Sequence, residues 1–390
     1  MSFKKSVVTG LVVLAFFALF VAISSRAAAE AAEVQVVEAK VVKEAKPVTF
    51  NGTAYIAGHG GHLAILDLRT MKSPTDVEND RIVLTEAGSE MEGKVAGISF
   101  EQAKKSGGSH GQTLMMEKGH KVLVAGTLAG NVYKVELDAN GRALKKEGPF
   151  KVGEKFCGAI TGPDGNVYFE DMTDGNVYVW NPEKLKLVDK MPAGMAVCGI
   201  QWTKNAKKAY ITDMPAGKVY VYDWKTKKKI KTISSPEMTF IHQARMTPDG
   251  KYLWVSAPNE FELNPAGTAG TASVLKGGTK AHQVIIIDTK TDEIVKRIVL
   301  PANLSPHDFA FTDNGYALLA SRSYGSDDSL LAVLNMKNDN IVEEVSLCAS
   351  CHNANGIKVS IDSGSPLLCG ITVDWHKAAA KKAKKKKKTT

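Results

Sequence analysis

Past its first thirty residues the chain offers no helical periodicity long enough to make a useful helix. It has no nucleophile elbow between a strand and a helix, no phosphate-binding loop and no zinc-protease helix. Those absences exclude the α/β serine hydrolases, the P-loop nucleotide hydrolases and the zincins. Cysteine is scarce, with five in 390 residues. A disulfide-built scaffold is therefore excluded, and the fold must rest on a hydrophobic core. Net basic charge is scarce in the body as well, because its lysines and arginines are nearly balanced by acids. The net charge of +9 is nearly all due to the eight lysines between Lys377 and Thr390. No basic stripe runs through the rest, which argues against nucleic acid as a partner.

The two ends differ from the body. Lys4 and Lys5 precede a nearly unbroken apolar run from Val7 to Ser24, followed by the small residues of "SRAAAEA". Residues 1–29 read as a cleaved signal peptide, with an uncleaved membrane anchor at residues 7–24 as the alternative. Either way the body is exported, to the periplasm or another extracytoplasmic place. Residues 377–390 read as a disordered lysine tail. It serves solubility, or it docks an acidic redox partner or an anionic lipid surface.

Between the ends lies a repeat. It begins at Asn51, His110, Cys157, Cys198, His242 and His307. Each copy shows short alternating or β-branched runs separated by Gly and Asn turns, as in "CGAITGPDGNVYFEDMTDGNVYVWNPEKLKLVDKM" from Cys157. Four short antiparallel strands repeated roughly every 40–50 residues are the signature of a β-propeller. The fold class is all-β: a single propeller of four-stranded blades over residues 33–376, closed by both chain ends. The late fragment "CGITVDW" from Cys369 looks like an inner strand without its followers. Seven blades is the preferred count, the seventh built from residues 33–45 with 355–376, and six is the other.

"SLCASCHNAN", residues 346–355, holds Cys348, Cys351 and His352 in the spacing C-x-x-C-H. That spacing attaches haem c: two thiols form thioethers to the vinyl groups, and the adjacent His reaches the iron as proximal ligand. A zinc site would need a second ligand pair at similar spacing, and none follows. The motif falls between the last full repeat and the closing strand, so it is expected at the rim of the propeller. Candidates for the distal ligand are His376, His59 and His62, with a Met or an open position as the alternatives.

Aligning the repeats gives a second constellation. Cys157, Cys198, His242 and His307 each start an inner strand, and Gly165, Ala206, Gly250 and Gly315 follow eight residues later at the turn. His110 and Cys369 fit the same register. Inner strands line the channel of a propeller, so six side chains point at one axis. Thiolate and imidazole suit copper, zinc or haem iron. A Cys157–Cys198 disulfide and inert channel lining are the alternatives. His120 and His282 read as exposed turn residues.

"MTPDGKYLWVS" resembles the YVTN-type propeller repeat. "SHGQTLMMEKGHKVLVAGTLAGNVYKVEL", "IHQARMTPDGKYLWVSAPN" and "PHDFAFTDNGYALLASRSYGSDDSLLAVLNM" resemble blades of the cytochrome cd1 nitrite reductase propeller. That resemblance implies a haem-ligand role for His110 and a substrate-facing role for His242 and His307. This chain departs from that family by placing its haem motif near the C-terminus and by carrying three ring cysteines. The resulting expectation is an exported redox protein whose haem relays electrons to a metal, copper for instance, or to a second haem on the axis. The competing readings are a non-catalytic electron carrier, a propeller subunit of a multihaem complex, and a binding scaffold with a structural haem.

Overall fold

The computed structural model describes residues 33–58, 62–72, 80–84, 108–258, 282–302, 304–322, 330–347 and 368–376. From Val36 onward the chain is one compact unit. It is a six-bladed β-propeller. Blade 1 combines the closing strand Leu368–Trp375 with Gly52–Gly58, His62–Asp67 and Arg81–Val83. Blade 2 holds Ser109–Glu117, His120–Thr127, Asn131–Leu137 and Ala143–Lys151. Blade 3 holds Phe156–Thr161, Val167–Asp171, Asn176–Asn181 and Lys186–Pro192, and blade 4 holds Val197–Trp202, Lys208–Asp213, Lys218–Asp223 and Lys228–Ser234. Blade 5 holds Ala244–Met246, Tyr252–Ala257, Gln283–Asp288 and Glu293–Val299, and blade 6 holds Ser305–Phe311, Tyr316–Arg322, Leu330–Asn335 and Asn340–Ser346.

Of the two blade counts, six is the one formed. The described residues among those assigned to a seventh blade go elsewhere, and 355–367 lie outside the described residues. Leu368–Trp375 pairs with Gly52–Gly58 and becomes the inner strand of blade 1. Gln35–Glu38 instead adds a fifth, outermost strand to blade 5, and Val41 bridges Ile341 at the outer edge of blade 6. The closing strand seals the ring by joining the two chain ends within one sheet, which covers the inner edge of Gly52–Gly58.

Six hydrophobic clusters hold the ring, one for each pair of neighbouring blades. Phe156, Phe169, Val124 and Trp180 pack blade 2 on blade 3, and Leu318, Val333, Ile56 and Leu66 pack blade 6 on blade 1. Each blade is thus covered on both faces. This explains why the third strands are apolar without interruption, as in "VYVW" at Val177–Trp180 and "VIII" at Val284–Ile287. Outermost strands have no further neighbour and are charged, as in "KKIKTIS" at Lys228–Ser234, which also discourages pairing with another edge. A fully buried side chain of this size contributes about 1.5–3 kcal/mol, so closure rests on these six layers. Among the described residues no helix is long and apolar enough to cross a membrane, and the Val7–Ser24 run lies outside them.

Chain direction matters for the site. All six inner strands start at one end of the channel, where the aligned His and Cys stand. The described residues that flank 59–61, 85–107, 259–281, 323–329 and 348–367 all stand at that end. They belong to blades 5, 6 and 1 and the passage into blade 2, one sector of the rim.

Candidate axial site

The ring residues are set by a local irregularity repeated around the axis. In blade 2, Ser109 pairs with Thr127 and Gly111 with Gly126, so His110 is skipped by the ladder. The same bulge skips Cys157 between Phe156 and Gly158, Cys198 between Val197 and Gly199, and His307 between Pro306 and Asp308. Cys369 is skipped between Leu368 and Gly370. His242 lies two residues before the blade 5 inner strand, and its backbone N–H donates to the Ser256 carbonyl at 2.9 Å. A bulge puts two residues opposite one and re-aims the extra side chain. Here it turns His110, Cys157, Cys198 and His307 away from the alternation of their strands.

The residue after each ring position makes room. It is glycine in four strands: Gly111, Gly158, Gly199 and Gly370. A Cβ at Gly111 would lie 2.4 Å from the Cα of Gly158, so at this point two inner strands touch backbone to backbone. The other two strands carry Gln243 and Asp308 there, and these side chains fill the axis.

His110, Cys157, Cys198, His242 and His307 are all buried. One donor atom from each of His110, Cys157 and His307 lies within 4.8 Å of the other two, and the same holds for Cys157, Cys198 and His242. Cys157 belongs to both triads. The rings of His242 and His307 are 4.2 Å apart between centroids, and those of His110 and His307 are 5.3 Å apart in a T-shape. His110 Nδ1 lies 2.6 Å from the Cys157 carbonyl. A carbonyl only accepts, so Nδ1–H is the donor and, in the neutral ring, Nε2 carries the lone pair. The Gln243 amide donates to the Cys157 carbonyl at 3.3 Å and toward its sulfur at 3.9 Å. Cys198 Sγ lies 3.8 Å from Met214 Sδ, and no disulfide joins it to Cys157. Cys369 shares the register, and its side chain is outside the described set.

Below the ring runs a polar column that the sequence reading did not find. Arg245 Nη2 donates to Asp308 Oδ2 at 2.8 Å, and the Ile371 and Phe309 amides donate to the same carboxylate at 3.0 and 2.8 Å. Glu170 occupies the space beside Gly158, with its Oε1 accepting from the Ile200 amide at 3.0 Å. Both carboxyls are essentially inaccessible. Burial pushes Glu170 up to about 8, against the pull of Arg245, and pushes Asp308 upward too. One guanidinium stands between two buried carboxyls. Asp308, with three donors, takes the ion pair, and burial favours the protonated form of Glu170. The column ends in a cavity of about 190 Å³ at the far mouth, lined by Gln112, Gln201, Arg245, Phe309 and Trp375 among others.

The other sequence candidates fall in different places. Cys348, Cys351, His352 and His59 lie outside the described residues. His62 opens its strand at the ring end. His376 stands past the far end of the closing strand, where its Nε2 lies 3.4 Å from Thr53 Oγ1 and 3.6 Å from Asp374. The structure therefore separates His376 from the ring by the length of the closing strand. His120 is exposed beside Glu136, as expected. His282 is not the exposed turn residue of the sequence reading. It is buried, with Nδ1 2.5 Å from the Pro258 carbonyl, because the strand it precedes runs into the packed middle of blade 5. Ser109 stands in a Gly-x-Ser-x-Gly spacing with Gly107 and Gly111, yet it opens an inner strand and joins no helix, so it is not a nucleophile elbow.

No family model matches the chain. Over 122 residues it is 33% identical to antigen Lp49 of Leptospira interrogans, a match covering 31% of this chain and 24% of that protein. The chain thus spans about a quarter of the length of that curated relative. A solved protein of unknown function from Bacteroides caccae aligns over 84% of this chain and all of its own, with a TM-score of 0.51 and 10% identity. Hydrazine synthase of Kuenenia stuttgartiensis aligns over 55% of this chain and 59% of its own, with a TM-score of 0.42 and 16% identity. These structural similarities concern the fold alone.

Proposed function

We propose that the chain is an exported redox protein in which haem c, attached through Cys348 and Cys351 with His352 as proximal ligand, exchanges electrons with a second redox group held by the axial ring. One observation carries the reading. The described flanks of the haem segment, Leu347 and Leu368, both stand at the end of the propeller where the His and Cys side chains cluster. A haem tethered between them is held over the ring. His62 begins its strand at that same end, and His59 precedes it, which favours these two over His376 as distal ligand.

The residues divide the work. His110, Cys157, Cys198, His242 and His307 supply donors out of water, where charge interactions are strong. Glu170 holds a proton beside the ring, and Arg245 with Asp308 fixes the charge beneath it. An acidic redox partner docking on the lysine tail, membership of a larger complex and a membrane tether are compatible with this reading.

The test is iron content and a visible spectrum of the full chain made in a host that attaches haem c. The expected result is one covalent haem per chain, lost when Cys348→Ser and Cys351→Ser are combined. A chain without covalent haem overturns the reading.

A further inference from the structure

The axial ring carries more than a general affinity for metals. We infer that it binds one copper ion through His110, Cys157 and His307. This deepens the reading above by naming the metal and its ligands.

Three observations select this set. First, its donors are two imidazoles and one thiol, all buried and within 4.8 Å of each other. A trigonal His2Cys set is the arrangement of copper electron-transfer centres. Bond lengths of about 2.0–2.3 Å put such donors roughly 3.5–4 Å apart, so the site closes on an ion by side-chain shifts of about 1 Å. Second, His110 is already oriented. Its Nδ1–H is held by the Cys157 carbonyl, which leaves Nε2 as the ligand atom. Metal-binding histidines almost always have their other nitrogen anchored in this way. Third, the Gln243 amide points at the Cys157 sulfur, at 3.9 Å. A donor there stabilises a thiolate and tunes the copper it binds. Structural zinc takes four protein ligands, and this set provides three.

The second triad shares the Cys157 sulfur and adds Cys198 and His242. In this assignment His242 buttresses the His307 ring from 4.2 Å, and Cys198 leans on Met214. On binding, Cys157 releases its thiol proton to solvent as the copper–sulfur bond forms. No electron moves in that step.

Copper-edge X-ray absorption tests the assignment, because it does not see haem iron. The full chain, as purified with its haem, is given one equivalent of Cu(II) and passed through gel filtration. The expected result is one copper per chain, with one sulfur and two imidazole nitrogens in the first shell. Cys157→Ser should lose the sulfur and at least nine-tenths of the copper, whereas Cys198→Ser should keep both. Copper that washes off, a shell of nitrogen and oxygen only, or a sulfur that survives Cys157→Ser overturns the proposal. The wild-type spectrum decides the matter even if a variant does not fold. Iron is counted separately, so a chain that binds copper without haem sinks the reading above and leaves this one standing.

Discussion

Replacing Glu170 by Gln should stabilise the protein, and by an amount that depends on pH. The carboxyl is fully buried, it accepts one backbone N–H, from Ile200, and Asp308 takes the ion pair with Arg245. Burial raises it from 4.5 to about 8. Between those values the folded chain keeps a proton that the unfolded chain has released. Stability therefore falls as pH rises through this window, and the penalty disappears below pH 4.5. At 1.36 kcal/mol per pH unit the cost is about 3 kcal/mol at pH 7. Gln has the shape of the protonated acid and can still accept from Ile200, but it cannot ionise. In metal-free protein, thermal or urea midpoints measured from pH 5 to 8 should show the variant close to wild type at pH 5. It should then pull ahead steadily, by about 3 kcal/mol at pH 7. A difference that does not change with pH, or a variant weaker than wild type at pH 8, would refute the argument that Glu170 is neutral in the fold.

Further perturbations probe the scaffold. Gly111→Ala would drive a Cβ to 2.4 Å from the Gly158 backbone, so the inner strands of blades 2 and 3 must separate. The expected loss is about 3 kcal/mol or more, seen as a lower melting midpoint, and an unchanged midpoint would contradict the close approach. Ala206 sits at a φ of +53°, where Gly165, Gly250 and Gly315 occupy the equivalent turns. Ala206→Gly should add about 0.5–1 kcal/mol, readable as a rise in the same midpoint. Arg245→Met leaves the Asp308 carboxylate buried without its cation. It should cost about 3–5 kcal/mol near neutral pH, recovering in part at low pH as Asp308 takes up a proton.

The repeat and its ring register were legible because they rest on periodicity. The eight-residue step from ring residue to turn appears in the structure as positive φ at Gly165, Ala206, Gly250 and Gly315. The extra blade was misread because "QVVE" at Gln35–Glu38 is a short strand with an exposed face. Nothing local says that it will pair outside blade 5. The bulges were not legible either, since they arise from backbone pairing and leave no trace in residue type. The polar column left a weak trace. After the ring residue the six strands read Gly, Gly, Gly, Gln, Asp, Gly, and two polar side chains among four glycines must fill the axis. Glu170 occupies a second-strand position that elsewhere holds Ala57, Gly126, Thr212, Ser256 and Ala320. One carboxyl group in a series of small residues marks a buried ionisable side chain, but only once the strands are in register.

The claim that joins the haem motif to the axial ring is electron exchange between two groups in one chain. Coulometric reduction of the haem-bearing, copper-loaded protein tests it directly, with the haem spectrum followed during titration. The account predicts two electrons per chain in wild type and one in Cys157→Ser. One electron in both proteins, all of it on the haem, would contradict it and leave a carrier with an inert channel.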